Sequence, residues 1–150
     1  MKVLVAGASG LMGSALVIHL LAQGHQVVAL ARRPDALARH PRLRCIAADP
    51  TTWSTPAHWH AALRGVDAVL NAAGIFRETA RQRFQALHVD MPCALMQAGV
   101  RRMVQLSALG AARDAATAYW RSKGMGDHAL RASKLDWLIA IGAPPSVTTT

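Results

Sequence analysis

Apolar residues occur along the chain in two alternating arrangements: short continuous runs, and longer segments with helical spacing. Residues 3–6 form the first run, and a turn containing glycines separates it from a helical segment at about 11–23. In that segment the apolar positions recur every three or four residues, at Leu11, Ala15, Ile18 and Ala22. Gly24 follows and is expected to end the helix, because glycine readily adopts the left-handed conformation found there.

The same alternation continues to residue 141 and predicts five further strands. These lie at 26–31, 44–48, 66–71, 103–107 and 136–141. Between them we expect short helical stretches at about 35–39 and 59–63, a helix at 84–98 that Pro92 breaks or kinks, and a helix at about 118–132. Strands that are apolar on both faces and alternate with helices predict a parallel sheet covered on both sides. The fold class is therefore a doubly wound α/β domain of about six strands.

The composition is that of a single globular domain. The chain has 150 residues, and 52% of them are hydrophobic, which is enough for one core. Its two cysteines, Cys45 and Cys93, are far apart, so neither a metal spacing nor a disulfide framework is present and a reduced, cytoplasmic setting is expected. Glycines and polar residues interrupt the apolar N-terminus, which argues against a signal peptide or a membrane span there.

The net charge of +9 comes mainly from scattered arginines and not from a basic run. Because no aromatic residues are interleaved with them, we do not expect a nucleic-acid partner. His58 and His60 resemble a metal-binding pair, but no third ligand has a convincing spacing, so no metal site is predicted. The expected partner is a small-molecule substrate, whose identity the sequence does not specify.

The segment VAGASGLMG joins the first strand to the first helix and is typical of a phosphate-binding turn. Gly7 would make the tight turn out of the strand, Gly10 would let the backbone approach a pyrophosphate, and Gly13 would let helix and strand pack closely. The exposed N–H groups and the helix dipole then attract phosphates. A purely structural turn is the alternative interpretation.

The end of the second strand bears on which dinucleotide binds. NAD-selective sites place an acidic residue here, which accepts a hydrogen bond from the ribose 2′-hydroxyl. In this chain the position reads Ala31-Arg32-Arg33, and two guanidinium groups suit a 2′-phosphate through forked hydrogen bonds. NADP(H) is therefore favoured over NAD, and Asp35 is expected to lie outside the ribose position because it follows Pro34. The alternative is that both arginines are ordinary surface residues.

Together these features resemble the short-chain dehydrogenase/reductase superfamily, in its extended or atypical branch. That branch includes nucleotide-sugar epimerases and the nucleotide-binding accessory subunit of respiratory complex I. The resemblance runs from Met1 to about Ala140 and is carried by VAGASGLMG, NAAG at 71–74, GVRRMVQLSALGA, Tyr119-x-x-x-Lys123 and LRASKLDWLIA. It implies a Rossmann-type sheet and an NAD(P)-dependent oxidoreductase or epimerase-like protein acting on a carbonyl or hydroxyl substrate.

The resemblance also implies a set of cofactor-binding residues. They are Gly7, Ser9, Gly10, Leu11, Met12, Gly13, Arg32, Arg33, Asp49, Asn71, Ala72, Ala73, Gly74 and Lys123. Within this set, Asp49 would accept from the adenine amino group, and residues 71–74 would line the adenine-ribose side. Each of these two segments can equally be a turn at a strand end, since Asp, Asn and Gly all favour turns.

Tyr119 and Lys123 are the candidate catalytic pair. Four residues apart on a helix, they share one face, and a lysine ammonium beside the phenol is expected to lower the tyrosine pKa from about 10 towards neutrality. Tyr119 would then act as a general acid or base, and Lys123 would also hold the nicotinamide ribose. Ser107, at the end of the fifth strand, matches the family's third member, which would hydrogen-bond the substrate oxygen.

Three features depart from the family pattern. The helix after His88 looks about one turn short, and Gly124 and Gly126 are expected to weaken the helix of Tyr119 and Lys123 by about 1 kcal/mol each. Relatives continue past the sixth strand into a substrate-binding lobe, whereas here we expect a domain at 1–141 and an irregular tail at 142–150. Bare apolar surface predicts low stability or self-association. We therefore expect cofactor binding with little catalysis; a non-catalytic NADPH-binding structural or redox-sensing protein is the alternative.

Overall fold

The computed structural model describes residues 1–142, in which six strands form one parallel sheet. The order across the sheet is β3-β2-β1-β4-β5-β6. The strands are β1 (Lys2–Ala6), β2 (Gln26–Ala31), β3 (Leu43–Ala47), β4 (Ala68–Asn71), β5 (Arg102–Ala108) and β6 (Asp136–Gly142). This is the doubly wound Rossmann arrangement that the alternation of strands and helices predicts. Of the predicted tail, Gly142 belongs to β6 and residues 143–150 lie outside the described part.

The helices differ from their predicted positions mainly where they are short. They are α1 (Leu11–Ala22), α2 (Pro56–Trp59), α3 (Met91–Gln97) and α4 (Ala118–Arg131), with 3₁₀ turns at Pro34–Ala36 and Pro50–Thr52. Gly24, with φ of 85°, ends the first helix as predicted. The short helix predicted at 59–63 lies earlier, and the one predicted at 35–39 is only a 3₁₀ turn. No helix within residues 1–142 is long and apolar enough to span a membrane.

At Pro92, where a break or kink is predicted, the structure instead changes from one type of helix to another. A π-helix at Gln85–Asp90 runs directly into α3, and Pro92 lies in the first turn of α3. A proline inside a helix disturbs the hydrogen-bond ladder, and here the disturbance is confined to the π-helix directly before it. The helical segment therefore continues past the proline.

Two apolar cores lie on opposite faces of the sheet. The larger core packs α2, α3 and α4 against the sheet through Leu4, Trp59, Met91, Leu95, Met103 and Leu130. The smaller core packs α1 against β1 and β2 through Val5, Val17, Val27 and Ala29. The central strands are therefore covered on both sides, as predicted.

The outer strands are not covered in this way. Leu138 and Ile141 on β6 are 59% and 60% exposed, and three of the five β3 residues are exposed. The prediction of a parallel sheet with helices on both faces is confirmed, and within residues 1–142 the outer strands β3 and β6 are partly exposed. Large apolar side chains consequently reach the surface of the described part of the chain at the β6 edge.

Gly124 and Gly126 bring α4 close to its neighbours. Both are buried within a continuous helix. A methyl group at Gly124 would overlap the backbone of Ala112, and one at Gly126 would overlap the carbonyl oxygen of His88. These glycines therefore have a packing role that the sequence did not indicate, beside the cost in helix propensity expected for them.

Candidate active site

The glycine turn has the geometry that its three predicted roles require. Gly7 has φ of 74°, and its own N–H and that of Ala8 both donate to the carbonyl of Leu30 at 3.1 Å. A methyl group at Gly13 would overlap the Gly7 carbonyl oxygen, so helix and strand touch there. At Gly10, by contrast, a methyl group would meet only that oxygen, at 3.4 Å. Gly7 and Gly13 are thus needed by the fold, whereas Gly10 leaves open space.

The first turn of α1 offers unpaired backbone donors beside Gly10. Gly10 is the N-cap residue, no side chain caps the helix, and the first turn contains no acidic residue. The first N–H groups of a helix have no partner within it, which here concerns Leu11, Met12 and Gly13. Together with the positive end of the helix dipole, these donors suit a phosphate group.

A crevice of about 430 Å³ lies beside this turn. It opens where β1 separates β2 from β4, the position at which doubly wound sheets bind ligands. Its lining comprises Gly7, Ser9, Gly10, Ala31, Arg32, Arg33, Pro50, Ala72, Ala73, Gly74, Ile75, Gln82 and Leu87. The structure thus brings the predicted glycine turn, arginine pair and 72–74 segment together around one space. The chemistry of this lining fits a dinucleotide, with backbone donors for the pyrophosphate and guanidinium groups at one end.

Asp49 and Asn71 make contacts that sequence reasoning did not assign. The Asp49 carboxylate accepts hydrogen bonds from the N–H and the hydroxyl of Thr51, at 3.0 and 2.7 Å, and so caps a 3₁₀ turn. Asn71 is buried; its Oδ1 accepts from the Ala73 N–H at 3.2 Å and its Nδ2 donates to Gln105 at 3.3 Å. The Asn71 side chain thus holds the 71–73 loop from inside, while Ala72, Ala73 and Gly74 of the predicted segment line the crevice. The hydrogen bonds of Asp49 are those of a residue that caps a turn, which is the alternative role given for it above.

Tyr119 and Lys123 lie on α4, whose first turn is capped by the Thr117 hydroxyl. The Tyr119 ring is half-buried and packs against Phe76, Phe84 and His88, with centroid distances of 5.6, 5.9 and 5.7 Å. Lys123 donates from Nζ to the Leu106 carbonyl at 2.9 Å. A methyl group at Gly74 would lie 3.3 Å from this nitrogen, so Lys123 reaches the edge of the crevice.

The protonation of this pair differs from the prediction. Burial raises the pKa of Tyr119, so the prediction that Lys123 lowers it is wrong for the protein without cofactor. Burial also lowers the pKa of Lys123, and the nearby Asp127 carboxylate partly opposes that effect. Tyr119 is consequently a protonated phenol at neutral pH.

Ser107 makes its side-chain hydrogen bond inside the core. Its hydroxyl donates a short hydrogen bond to Asp127 Oδ2, and Gln105 Nε2 donates to Asp127 Oδ1 at 2.7 Å. Ser107 and Asp127 are 8% and 2% exposed. The hydroxyl hydrogen of Ser107 is therefore engaged inside the core, and a hydrogen bond from Ser107 to a substrate oxygen stays a prediction. Residues Asn71, Gln105, Asp127 and Ser107 form one buried polar network.

His88 is an important residue that sequence reasoning did not single out as functional. It is buried, and its two ring nitrogens contact Ile75 and Ser122. Burial, and to a smaller extent the Lys123 charge, lower its pKa to about 3. Asp127 was missed as well, although it lies four residues after Lys123 on the same helix, a spacing that could have identified it.

The buried His88 predicts a loss of stability in acid. In the unfolded chain it binds a proton near its ordinary pKa of 6.5, whereas the folded protein keeps it neutral down to about pH 3. Its contribution is complete above pH 6.5 and is lost as the pH falls towards 3. Among groups packed on it, Tyr119 is neutral and Lys123 positive in this window. Between about pH 6 and 4, we expect the free energy of unfolding of the unaltered protein to fall more steeply than that of His88→Gln. The difference between the two slopes should reach up to about 1.4 kcal/mol per pH unit. Denaturant titrations at several pH values measure this, and equal slopes would contradict it.

His58, one of the two histidines that resemble a metal-binding pair, takes part in a helix cap. Its ring contacts the Thr55 N–H and hydroxyl, at 3.4 and 3.1 Å, and so belongs to a helix cap. Within residues 1–142, no three His, Cys, Asp or Glu side chains lie close enough together to hold a metal ion.

The sheet order, the glycine turn and the crevice together define a Rossmann-type nucleotide-binding protein. The model of the NAD(P)H-binding family matches residues 7–143, which is nearly the whole chain. The chain therefore belongs to the NAD(P)H-binding family, and its cofactor is a nicotinamide dinucleotide.

Several relatives are similar over much of the chain. A 3-beta-hydroxysteroid dehydrogenase of Mycolicibacterium neoaurum is 35% identical over 115 residues, which are 69% of this chain and 31% of that protein. Among solved structures, the oxidoreductase ylbE of Lactococcus lactis has a TM-score of 0.77 at 23% identity, over 93% of this chain and 67% of its own. The Bordetella bronchiseptica enzyme WbmH, solved in complex with NAD+, also gives 0.77, at 21% identity, over 93% of this chain and 55% of its own. The chain thus spans about a third of the length of the dehydrogenase it matches.

Proposed function

We propose that the protein is an NADP(H)-dependent oxidoreductase that acts on a carbonyl or hydroxyl substrate, with Tyr119 as the proton donor and acceptor and Lys123 as its partner. The observation that carries this proposal is the position of Gly74. It lines the crevice beside the glycine turn, and it lies next to Lys123 Nζ on α4. The cofactor crevice and the candidate catalytic helix therefore meet at one residue.

The bound nicotinamide supplies or accepts the hydride. Tyr119, whose pKa is raised by burial, is protonated at neutral pH and suits the general acid that protonates a carbonyl oxygen during reduction. Lys123 lies between the Leu106 carbonyl and Gly74, where its donors can hold a ribose hydroxyl. Ser107 acts only indirectly in this proposal, through its hydrogen bond to Asp127, whose carboxylate influences the pKa of Lys123.

The preference for NADP(H) rests on Arg32 and Arg33, which are exposed and line the crevice. We expect NADPH to bind at least tenfold more tightly than NADH, a difference of about 1.4 kcal/mol. In the double variant Arg32→Ala/Arg33→Ala this preference should disappear while the affinity for NADH stays unchanged. Calorimetry, or a tryptophan fluorescence titration of both cofactors, measures the four dissociation constants.

The second arginine pair of the chain provides a matched control. Arg101→Ala/Arg102→Ala removes the same charge from exposed positions that do not line the crevice, and it should retain the preference. Equal affinity of the unaltered protein for NADPH and NADH would remove the argument for the 2′-phosphate. If both double variants lose the preference for NADPH equally, the preference is due to net charge and not to the position of Arg32 and Arg33.

A second candidate function is a non-catalytic NADPH-binding protein with a structural or redox-sensing role. The engagement of Ser107 with Asp127 favours it, because it removes one of the three predicted catalytic groups from the substrate side. Cofactor binding without turnover on a panel of aldehydes, ketones and nucleotide sugars would select this alternative.

A further inference from the structure

A single buried imidazole connects the cofactor crevice with the helix that carries Tyr119 and Lys123. His88 lies in the π-helix, is 4% exposed, and accepts a hydrogen bond at Nε2 from the Ile75 N–H at 3.2 Å. Ile75 lines the crevice directly after Gly74. On its other side, His88 Nδ1 lies 2.8 Å from the Ser122 hydroxyl of α4.

The directions of these hydrogen bonds determine the tautomer. A backbone N–H can only donate, so Nε2 of His88 is the unprotonated nitrogen and Nδ1 carries the proton. The Ser122 hydroxyl in turn donates to the Tyr119 carbonyl at 2.8 Å, and so it accepts from Nδ1. A continuous chain of donors therefore runs from the crevice loop through His88 and Ser122 to the backbone of Tyr119.

The surroundings of the ring match this interpretation. Phe84 stacks on His88 with a centroid distance of 5.4 Å, and Tyr119 meets it edge-on at 5.7 Å. Burial and the Lys123 charge hold the pKa of His88 far below neutrality, which keeps Nε2 free to accept. Both nitrogens are occupied, so the ring does not act as a base towards a ligand.

We propose that His88 is a positioning residue that fixes the Gly74–Ile75 segment of the crevice relative to Tyr119 and Lys123. This inference rests on the proposed function, since it assumes that the cofactor lies against Gly74 and Ile75. His88 would hold the Gly74–Ile75 segment in its binding conformation before the cofactor arrives. Binding then does not include the free-energy cost of ordering that segment. Loss of the imidazole should therefore weaken cofactor binding more than a comparable loss of packing elsewhere.

Two substitutions separate the hydrogen bonds of His88 from its packing. His88→Phe keeps an aromatic ring between Phe84 and Tyr119 but cannot accept from the Ile75 N–H, and we expect NADPH to bind about fivefold more weakly. His88→Gln places an amide oxygen near the position of Nε2, and it should retain affinity to within about twofold. A merely structural role would not produce this rescue.

Ser133 supplies a matched control for Ser122, which lies at the α4 end of this chain of hydrogen bonds. Ser122 and Ser133 each donate to the carbonyl three residues earlier, at 2.8 and 2.6 Å, but only Ser122 also contacts His88. Ser122→Ala should weaken NADPH binding two- to threefold, and Ser133→Ala should leave it unchanged. Thermal unfolding without cofactor, measured for all four variants, separates lost affinity from lost stability.

The ¹⁵N shifts of the imidazole provide a readout that does not need the cofactor. In the unaltered protein they should report the Nδ1–H tautomer, and no titration between pH 5 and about 8. An Nε2–H tautomer, or NADPH binding by His88→Phe as tight as that of the unaltered protein, would overturn the inference and leave the proposed function intact. Failure of the unaltered protein to bind either NADPH or NADH would overturn both.

Discussion

Replacing Gly10 by valine should abolish cofactor binding and leave the domain folded. Gly10 is exposed, and a side chain there would project beside the crevice, with only the Gly7 carbonyl oxygen near its first carbon, at 3.4 Å. The space that the valine takes is the space in which a pyrophosphate must approach the first N–H groups of α1. We expect the dissociation constant for NADPH to rise at least 100-fold, about 2.8 kcal/mol.

The measurement is a calorimetric titration of the variant, together with its circular dichroism spectrum and melting temperature. Ala15→Val adds the same branched side chain at an exposed position of α1 further from the turn, and it should bind normally. Gly13→Ala is the opposite case, because its methyl group would overlap backbone atoms and should destabilise the fold itself. If Gly10→Val still binds NADPH, the glycine turn is only structural.

In a protein that also carries a substrate-binding lobe, Tyr119→Phe should lower turnover by a factor of about 100 or more and leave cofactor affinity nearly unchanged. The substitution removes the only group on this side chain that can transfer a proton, and general acid–base groups contribute about this much. Phenylalanine preserves the ring that packs against Phe76, Phe84 and His88. The expected loss is therefore chemical and not one of packing.

The assay uses NADPH oxidation on a panel of aldehydes, ketones and nucleotide sugars, followed by the variant on the substrate with the highest rate. Trp120→Phe, at the next position of the same helix, tests whether a change of aromatic ring on α4 affects turnover by itself. It should retain most of the activity. A Tyr119→Phe protein with unaltered turnover would assign Tyr119 to packing.

The sheet and the crevice could be predicted because their signals are local. A continuous apolar run, a turn with glycines at fixed spacing and an arginine pair at a strand end each identify themselves within about ten residues. Once the strands are known to be parallel, their carboxyl ends must lie at one edge of the sheet. For this reason the glycine turn, Arg32, Arg33 and residues 72–74 line one crevice in the structure as in the prediction.

The side-chain partners could not be predicted in the same way, because each joins segments far apart in sequence. Ser107 and Asp127 are separated by 20 residues, and His88 and Ser122 by 34. A family motif places Ser107 at the end of a strand but does not say which face it occupies. Alternation along β5 gives that information: Met103 and Ser107 are four residues apart, so they share a face, and both are buried there.

The glycines of α4 show the limit of propensity arguments. Gly124 and Gly126 count against a helix when only their own residue type is considered. Their benefit depends on Ala112 and on the carbonyl of His88, which lie outside α4 and contact it in the folded structure. Tertiary packing therefore reverses a judgement based on the helix alone.

The π-helix at Gln85–Asp90 makes the length of this part of the chain as important as its composition. A π turn accommodates one residue more than an α turn, because its hydrogen bonds join residues five apart instead of four. Removing one residue from this segment would narrow the π turn to an α turn and change the directions of the side chains within it, His88 among them. His88 would then turn away from Ile75 even though every remaining amino acid was retained. Homologous sequences that keep the histidine should therefore align through this segment without a gap.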